Sequence, residues 1–195
     1  MGCCSSAEKH LSIETEYKKA GMPPVDPALF ENEFEKEAFM AVNLLRHNPR
    51  LFFQQLKDLK EHPLYKGKNF NVLMKDLEHV QGLPFVAVDQ VACMACRNCN
   101  QIRAEHDHEV PERGGNIVQY KILLGDTHIV EAEEYTMVSW KLSPTSLILL
   151  SLMEEYEKHG MRCALLDTKT IKMGASFRPH KKVENIFQII YIKQQ

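Results

Sequence analysis

One helix, with a turn behind it, limits this chain's fold more than any other stretch. In PFVAVDQVACMACRNCNQIRAEHDHEVPERGGN, Pro84 to Asn116, apolar or small residues recur at Val88, Val91, Ala92, Ala95, Cys99 and Ile102. That i, i+3, i+4, i+7 spacing predicts a helix with one buried stripe. Asp89 stands near its start, where a carboxylate suits the positive helix end. Gly114-Gly115-Asn116 predicts a closing turn. Everything else is expected to pack around this helix.

Cys93, Cys96 and Cys99 on the same stretch form C-x-x-C-x-x-C, a spacing that raises zinc. Geometry speaks against it. With a rise of about 1.5 Å per residue, the outer thiols of a continuous helix stand about 9 Å apart. One ion with bonds of about 2.3 Å does not span that. The expected role is that of small buried thiols. Cys99 with His106 and His108 is the weak metal alternative, and no metal or other cofactor is expected.

At 195 residues, 44% hydrophobic and 26% charged, the chain suits one globular domain plus a short tail. A net charge of -2 gives no electrostatic grip on nucleic acid. No apolar run reaches the roughly 18 residues of a membrane span, and no secretory signal is recognisable at the start. The expectation is a reducing compartment, where the six cysteines serve as thiols or lipid sites rather than disulfides.

The opening MGCCSS fits M-G-x-x-x-[ST], with Gly2 as myristoylation site and Cys3 and Cys4 placed for palmitoylation. Covalent myristate and palmitate are therefore expected, since one acyl chain holds a membrane marginally and two hold it stably. Residues 1–27, ending in GMPPVDP, read as an acylatable arm. Residues 28–195 read as the domain.

Along that domain a helix is predicted from Phe30 to His47. Asn48-Pro49 then breaks the chain and restarts a helix through Leu59. A short helical piece is expected around Val72 to Val80, and another helix from Ile129 to Leu142. Ser143-Pro144 caps a nearly all-apolar helix through LILLSLM. Thr170 to Phe177 and Asn185 to Ile192 read as strands joined by RPHKK. The second, IFQIIYI, is apolar enough to be covered on both faces.

The order of these pieces is similar to the CAP superfamily, the SCP domain of cysteine-rich secretory, antigen and pathogenesis-related proteins, from about Phe30 to Ile192. NLLRHNPRLFFQQL resembles the opening of its intracellular members, WKLSP (Trp140 to Pro144) half of a later signature, and TIKMGASF and IFQIIYI its strands. The resemblance implies an α+β fold, a three-layer α-β-α sandwich. It also implies a groove, and there this chain departs from the pattern. The family's His ten residues after the Asp is Cys99, and the Glu of Gly-Glu-Asn is Gly115. The second His falls on Ser146 or, aligned on Leu165 to Asp167, on Met161.

With those positions altered and no nucleophile elbow or phosphate loop in the sequence, no enzyme and no catalytic residue is expected. The first expectation is a non-enzymatic, lipid-anchored adaptor binding a membrane surface and other proteins. It would be cytoplasmic and peripheral to a membrane, as the family's myristoylated intracellular branch is. The alternatives are a structural subunit of a ciliary or cytoskeletal, microtubule-associated assembly, and a residual zinc enzyme.

Overall fold

The computed structural model describes residues 11–60, 70–106, 115–124, 132–138, 142–153 and 161–194. The fold is α+β. Helices α1 (Ile13–Lys19), α2 (Glu33–His47), α3 (Phe53–Leu59) and α4 (Phe70–His79) precede strand β1 (Ala87–Val88). Then follow α5 (Gln90–His106), α6 (Gly115–Leu124), β2 (Ala132–Val138), α7 (Pro144–Leu152), α8 (Met161–Leu166), β3 (Thr170–His180) and β4 (Glu184–Lys193). The sheet order is β1-β3-β4-β2, with β1 parallel to β3 and the other pairs antiparallel.

β4 shows why the sheet is covered on both faces. Its side chains alternate between two apolar clusters. Phe187, Ile189 and Tyr191 join the cluster that contains α2, α7 and α8, whereas Ile190 and Ile192 join Ala92, Ala95 and Cys96 of α5 and Tyr120 of α6. Gly174 of β3 is where α5 comes closest. A Cβ there would overlap the Ala92 carbonyl carbon, the Ala92 Cβ and the Cys93 nitrogen. Only glycine admits that approach.

The predicted caps are in place. Asp89 Oδ1 accepts from Ala92 N at 2.9 Å, and Ser143 Oγ accepts from Ser146 N at 3.1 Å. Asn48 closes α2 and also opens the 3-10 turn Pro49–Phe52, accepting from Arg50 N at 3.3 Å. Leu147, Ile148, Leu149 and Leu152 of α7 are all buried, as an all-apolar helix requires.

Several expectations are corrected. The helix predicted over Ile129 to Leu142 is, in its described part, strand β2, because β4 offers a second hydrogen-bonding edge from Ile186 to Ile192. Val88 lies on β1 rather than in the stripe, and Ile102 is exposed. The buried face is rotated toward Cys93, Cys96, Asn100 and Arg103. Gly115 and Asn116, expected in a closing turn, are the first residues of α6, and Gly114 lies outside the described residues. Likewise β3 and β4 extend to His180 and Glu184, narrowing RPHKK to a turn at Lys181, Lys182 and Val183. Part of the arm is docked on the domain itself: Ile13 and Tyr17, one helical turn apart, are buried in the α2 cluster.

Candidate functional site

Gly2, Cys3 and Cys4 lie outside the described residues, as does His108. His106 is the last residue of α5. Cys99 is buried on α5, as are Cys93 and Cys96. Gly115 opens α6, which packs on α5. Ser146 sits in the first turn of α7, whereas Met161 is buried in the α2 cluster across the sheet. The structure thus brings Cys99 and Gly115 to one pair of packed helices and puts Met161 in the other apolar cluster. Among the described residues, no group of three His, Cys, Asp or Glu side chains could hold a metal ion.

Cys93 and Cys96 are packing groups in a close helix–sheet contact. Cys96 Sγ lies 3.8 Å from the Gly174 carbonyl oxygen. Burial pushes the Cys93 thiol pKa up, with a backbone hydrogen bond from Ala175 and the charge of Arg97 pulling it back. One turn on, Asn100 Nδ2 donates to both Ser176 O and Ser176 Oγ at 3.1 Å.

The densest polar constellation lies along the free edge of β3. β1 is short and pairs only with Lys172 and Met173, so β3 runs on unpaired on that side. Successive groups close its outward backbone. Asp89 N donates to Met173 O at 2.8 Å, and Ala175 meets the Cys93 sulfur. Phe177 N donates to Glu35 Oε1 at 2.9 Å and Phe177 O accepts from Asn32 Nδ2 at 3.3 Å. Pro179, the next outward position, has no N–H to leave open.

Asn32 and Glu35 can do this because they also cap α2. Asn32 Oδ1 accepts from Glu35 N, and Glu35 Oε2 accepts from Glu31 N, both at 3.0 Å, a variant of the capping box. Burial raises the Glu35 pKa, and the two backbone N–H groups and Arg97 partly offset it. Arg97 Nη2 is 3.9 Å from Glu35, and its Nε lies 3.3 Å from Glu31 without hydrogen-bond alignment. Glu31 also meets Arg178 at 3.4 Å.

A second constellation sits at the other end of α2. Asn43 pairs with Val86 as a strand would, donating to Val86 O at 3.1 Å and accepting from Val86 N at 2.8 Å. Arg46, only 1% exposed, donates five hydrogen bonds to the carbonyls of Pro84, Leu165, Asp167 and Thr170. Both networks close backbone groups of distant segments.

Sequence reading missed Glu35, Asn43 and Arg46. Their one signal is polar residues on the buried side of an amphipathic helix. Between the start of α1 and the first turns of α2 runs a polar groove of about 270 Å³, lined by Ser12, Glu14, Glu33, Lys36 and Glu37 among others. Leu11, the first described residue, also lines it.

No family model matches the chain, and no curated protein matches it. Among solved structures the chain is similar to an outer surface protein from Borrelia burgdorferi, at 15% identity and a TM-score of 0.45 over 74% of this chain and 96% of that one. A likeness at that level says nothing of function.

Proposed function

We propose that the protein is a non-enzymatic, lipid-anchored adaptor of CAP-like, three-layer architecture, holding partner proteins at an intracellular membrane surface. The observation that carries this reading is the short tether. Gly2, Cys3 and Cys4 stand only a few residues before Leu11, where the chain is already docked on the domain through Ile13 and Tyr17. Two acyl chains on so short a lead would hold the folded domain close against the bilayer. The buried thiol of Cys99 at the family's histidine position supports binding rather than chemistry. Among the described residues, no helix is long and apolar enough to cross a membrane.

The test is intact mass of the protein from its native cells, with fractionation of wild type beside Gly2→Ala. A mass gain of myristate, with or without palmitate, and release of the variant from membranes are expected. An unmodified terminus in a detergent-insoluble assembly refutes the anchor. That outcome favours the second reading, a structural subunit of a ciliary or cytoskeletal lattice, for which exposed Val118 and Ile122 on α6 offer apolar contacts.

A further inference from the structure

Helix α1 is seated on α2 by apolar contact and little else. Of its seven residues, Ile13 and Tyr17 are buried, at the i, i+4 spacing that puts them on one face. Among the described residues, every hydrogen bond and ion pair of α1 closes within α1 and its flanks. Lys18 pairs with Glu14 and Lys19 with Glu16, both at 2.8 Å, and Met22 N donates to Tyr17 O at 3.3 Å. Across the seam Lys36 attracts Glu14, both lining the polar groove of about 270 Å³. The helix beneath is fixed differently. Glu35, Asn43 and Arg46 tie α2 to Phe177, Val86 and the Leu165 carbonyl.

Tyr17 makes that seat a costly one. The residue is 3% exposed, and its hydroxyl is buried without a hydrogen-bond partner. Burial also raises the phenol pKa to about 12. A hydroxyl so placed has lost its water and gained no bond, and lifting the helix restores the water. The chain is jointed for such a movement. Gly21 follows α1 at a φ of 66°, with nothing within 4 Å of where a Cβ would stand. Pro23, Pro24 and Pro27 then keep the helix from continuing. The chain is capped again at Asp26, whose Oδ1 accepts from Ala28 N at 2.9 Å.

We infer that α1 is a releasable strap, opening as a unit about Gly21 while the domain stays folded, with the unpartnered Tyr17 hydroxyl keeping it close to release. Short elements held by few apolar contacts open well below the free energy of global unfolding. The strap itself stands on the described residues alone. Its consequence rests on the lipid-anchored reading: release adds Leu11 to Ala20 to the lead, about 34 Å of further reach, and lets the domain stand off the bilayer.

Hydrogen exchange of the full-length chain, read by mass spectrometry on peptides from α1 and α2, tests the strap. The amides of Glu16 to Met22 are expected to exchange about tenfold slower than in free peptide, and at least about a hundredfold faster than those of Ala41 to Leu45. Urea at about 1 M is expected to speed α2 and leave α1 nearly unchanged, because a local opening exposes little surface. Tyr17→Phe keeps the ring and removes the hydroxyl, so α1 exchange is expected to slow about fivefold. Tyr17→Ala is expected to bring α1 to the free-peptide rate. In that variant α2 loses no more than about tenfold in protection, the whole of what the docked strap adds. Wild-type α1 exchanging at the α2 rate, or at the free-peptide rate, overturns the inference. So does a phenylalanine variant without slowing, or an alanine variant in which α2 loses about a hundredfold or more. These readings are the same whether or not Gly2 is acylated. A failed anchor shows instead as an unmodified intact mass.

Discussion

Arg46→Met separates two opposed effects at the most enclosed charge in the fold. The guanidinium is removed from water, which lowers its pKa and costs several kcal/mol of hydration. Against that stand five hydrogen bonds of 2.6 to 3.1 Å to four backbone carbonyls. Methionine keeps much of the stem's packing and removes every donor. The carbonyls of Pro84, Leu165, Asp167 and Thr170 then stay buried without that partner, and breaking such a charged network costs about 3–5 kcal/mol. We expect a loss of about 4 kcal/mol in urea unfolding followed by circular dichroism, with an unchanged denaturant slope. At about 2–4 °C per kcal/mol for a chain of this size, the melting temperature falls by about 8–16 °C. Arg46→Lys is expected to recover less than half, because a compact ammonium cannot reach carbonyls spread around a planar fork. A methionine variant within about 1 kcal/mol of wild type would refute the reasoning, since dehydration would then have cancelled the hydrogen bonds.

Gly174→Ala forces α5 away from the sheet and is expected to cost about 3 kcal/mol by thermal unfolding; a loss below about 0.5 kcal/mol would mean that the close contact yields freely. Glu35→Ala uncovers Phe177 N on the β3 edge, and light scattering is expected to show self-association absent from wild type. Because burial raises the Glu35 pKa above its ordinary 4.5, the folded chain holds that proton more tightly than the unfolded one. Its contribution is full below about pH 4.5 and lost as pH rises through the folded value, so Glu35→Gln should flatten that part of the stability profile. In a chain carrying Cys3→Ser and Cys4→Ser, exposed Cys163 should react quickly with a thiol reagent while Cys93, Cys96 and Cys99 wait for unfolding. Fast labelling that survives Cys163→Ser would place another thiol at the surface.

What the sequence revealed was what local chemistry determines. Asn48-Pro49 and Ser143-Pro144 announce helix boundaries because cap and proline act within a turn of themselves. The run IFQIIYI announces a strand with two covered faces because its apolar residues are nearly continuous. β2 reads as helix because AEEYTMV carries helix-forming glutamates, and only the waiting edge of β4 makes it a strand. α6 escapes sequence reasoning for the opposite reason. GNIVQYKILL is apolar on every side and shows no period to count. Arg46 reads as a basic residue in the last turn of α2, where solvent is the ordinary surrounding. Nothing near it in sequence reveals that its acceptors lie 38 to 124 residues away. The site residues follow the same division. Cys99 was legible as a small residue in a buried stripe, whereas the capping of β3 by Asn32 and Glu35 depends on a strand some 145 residues further on.

The guarded edge of β3 bears on crowding. Molecules confined to a surface meet one another at far higher effective concentration than molecules in free solution. An open strand there is a template on which copies add end to end. With Asn32 and Glu35 engaging Phe177, Cys93 engaging the Ala175 N–H, and Pro179 lacking an N–H, that edge leaves an incoming strand few open donors. On the anchored reading proposed above, that side of the molecule would tolerate close neighbours without polymerising.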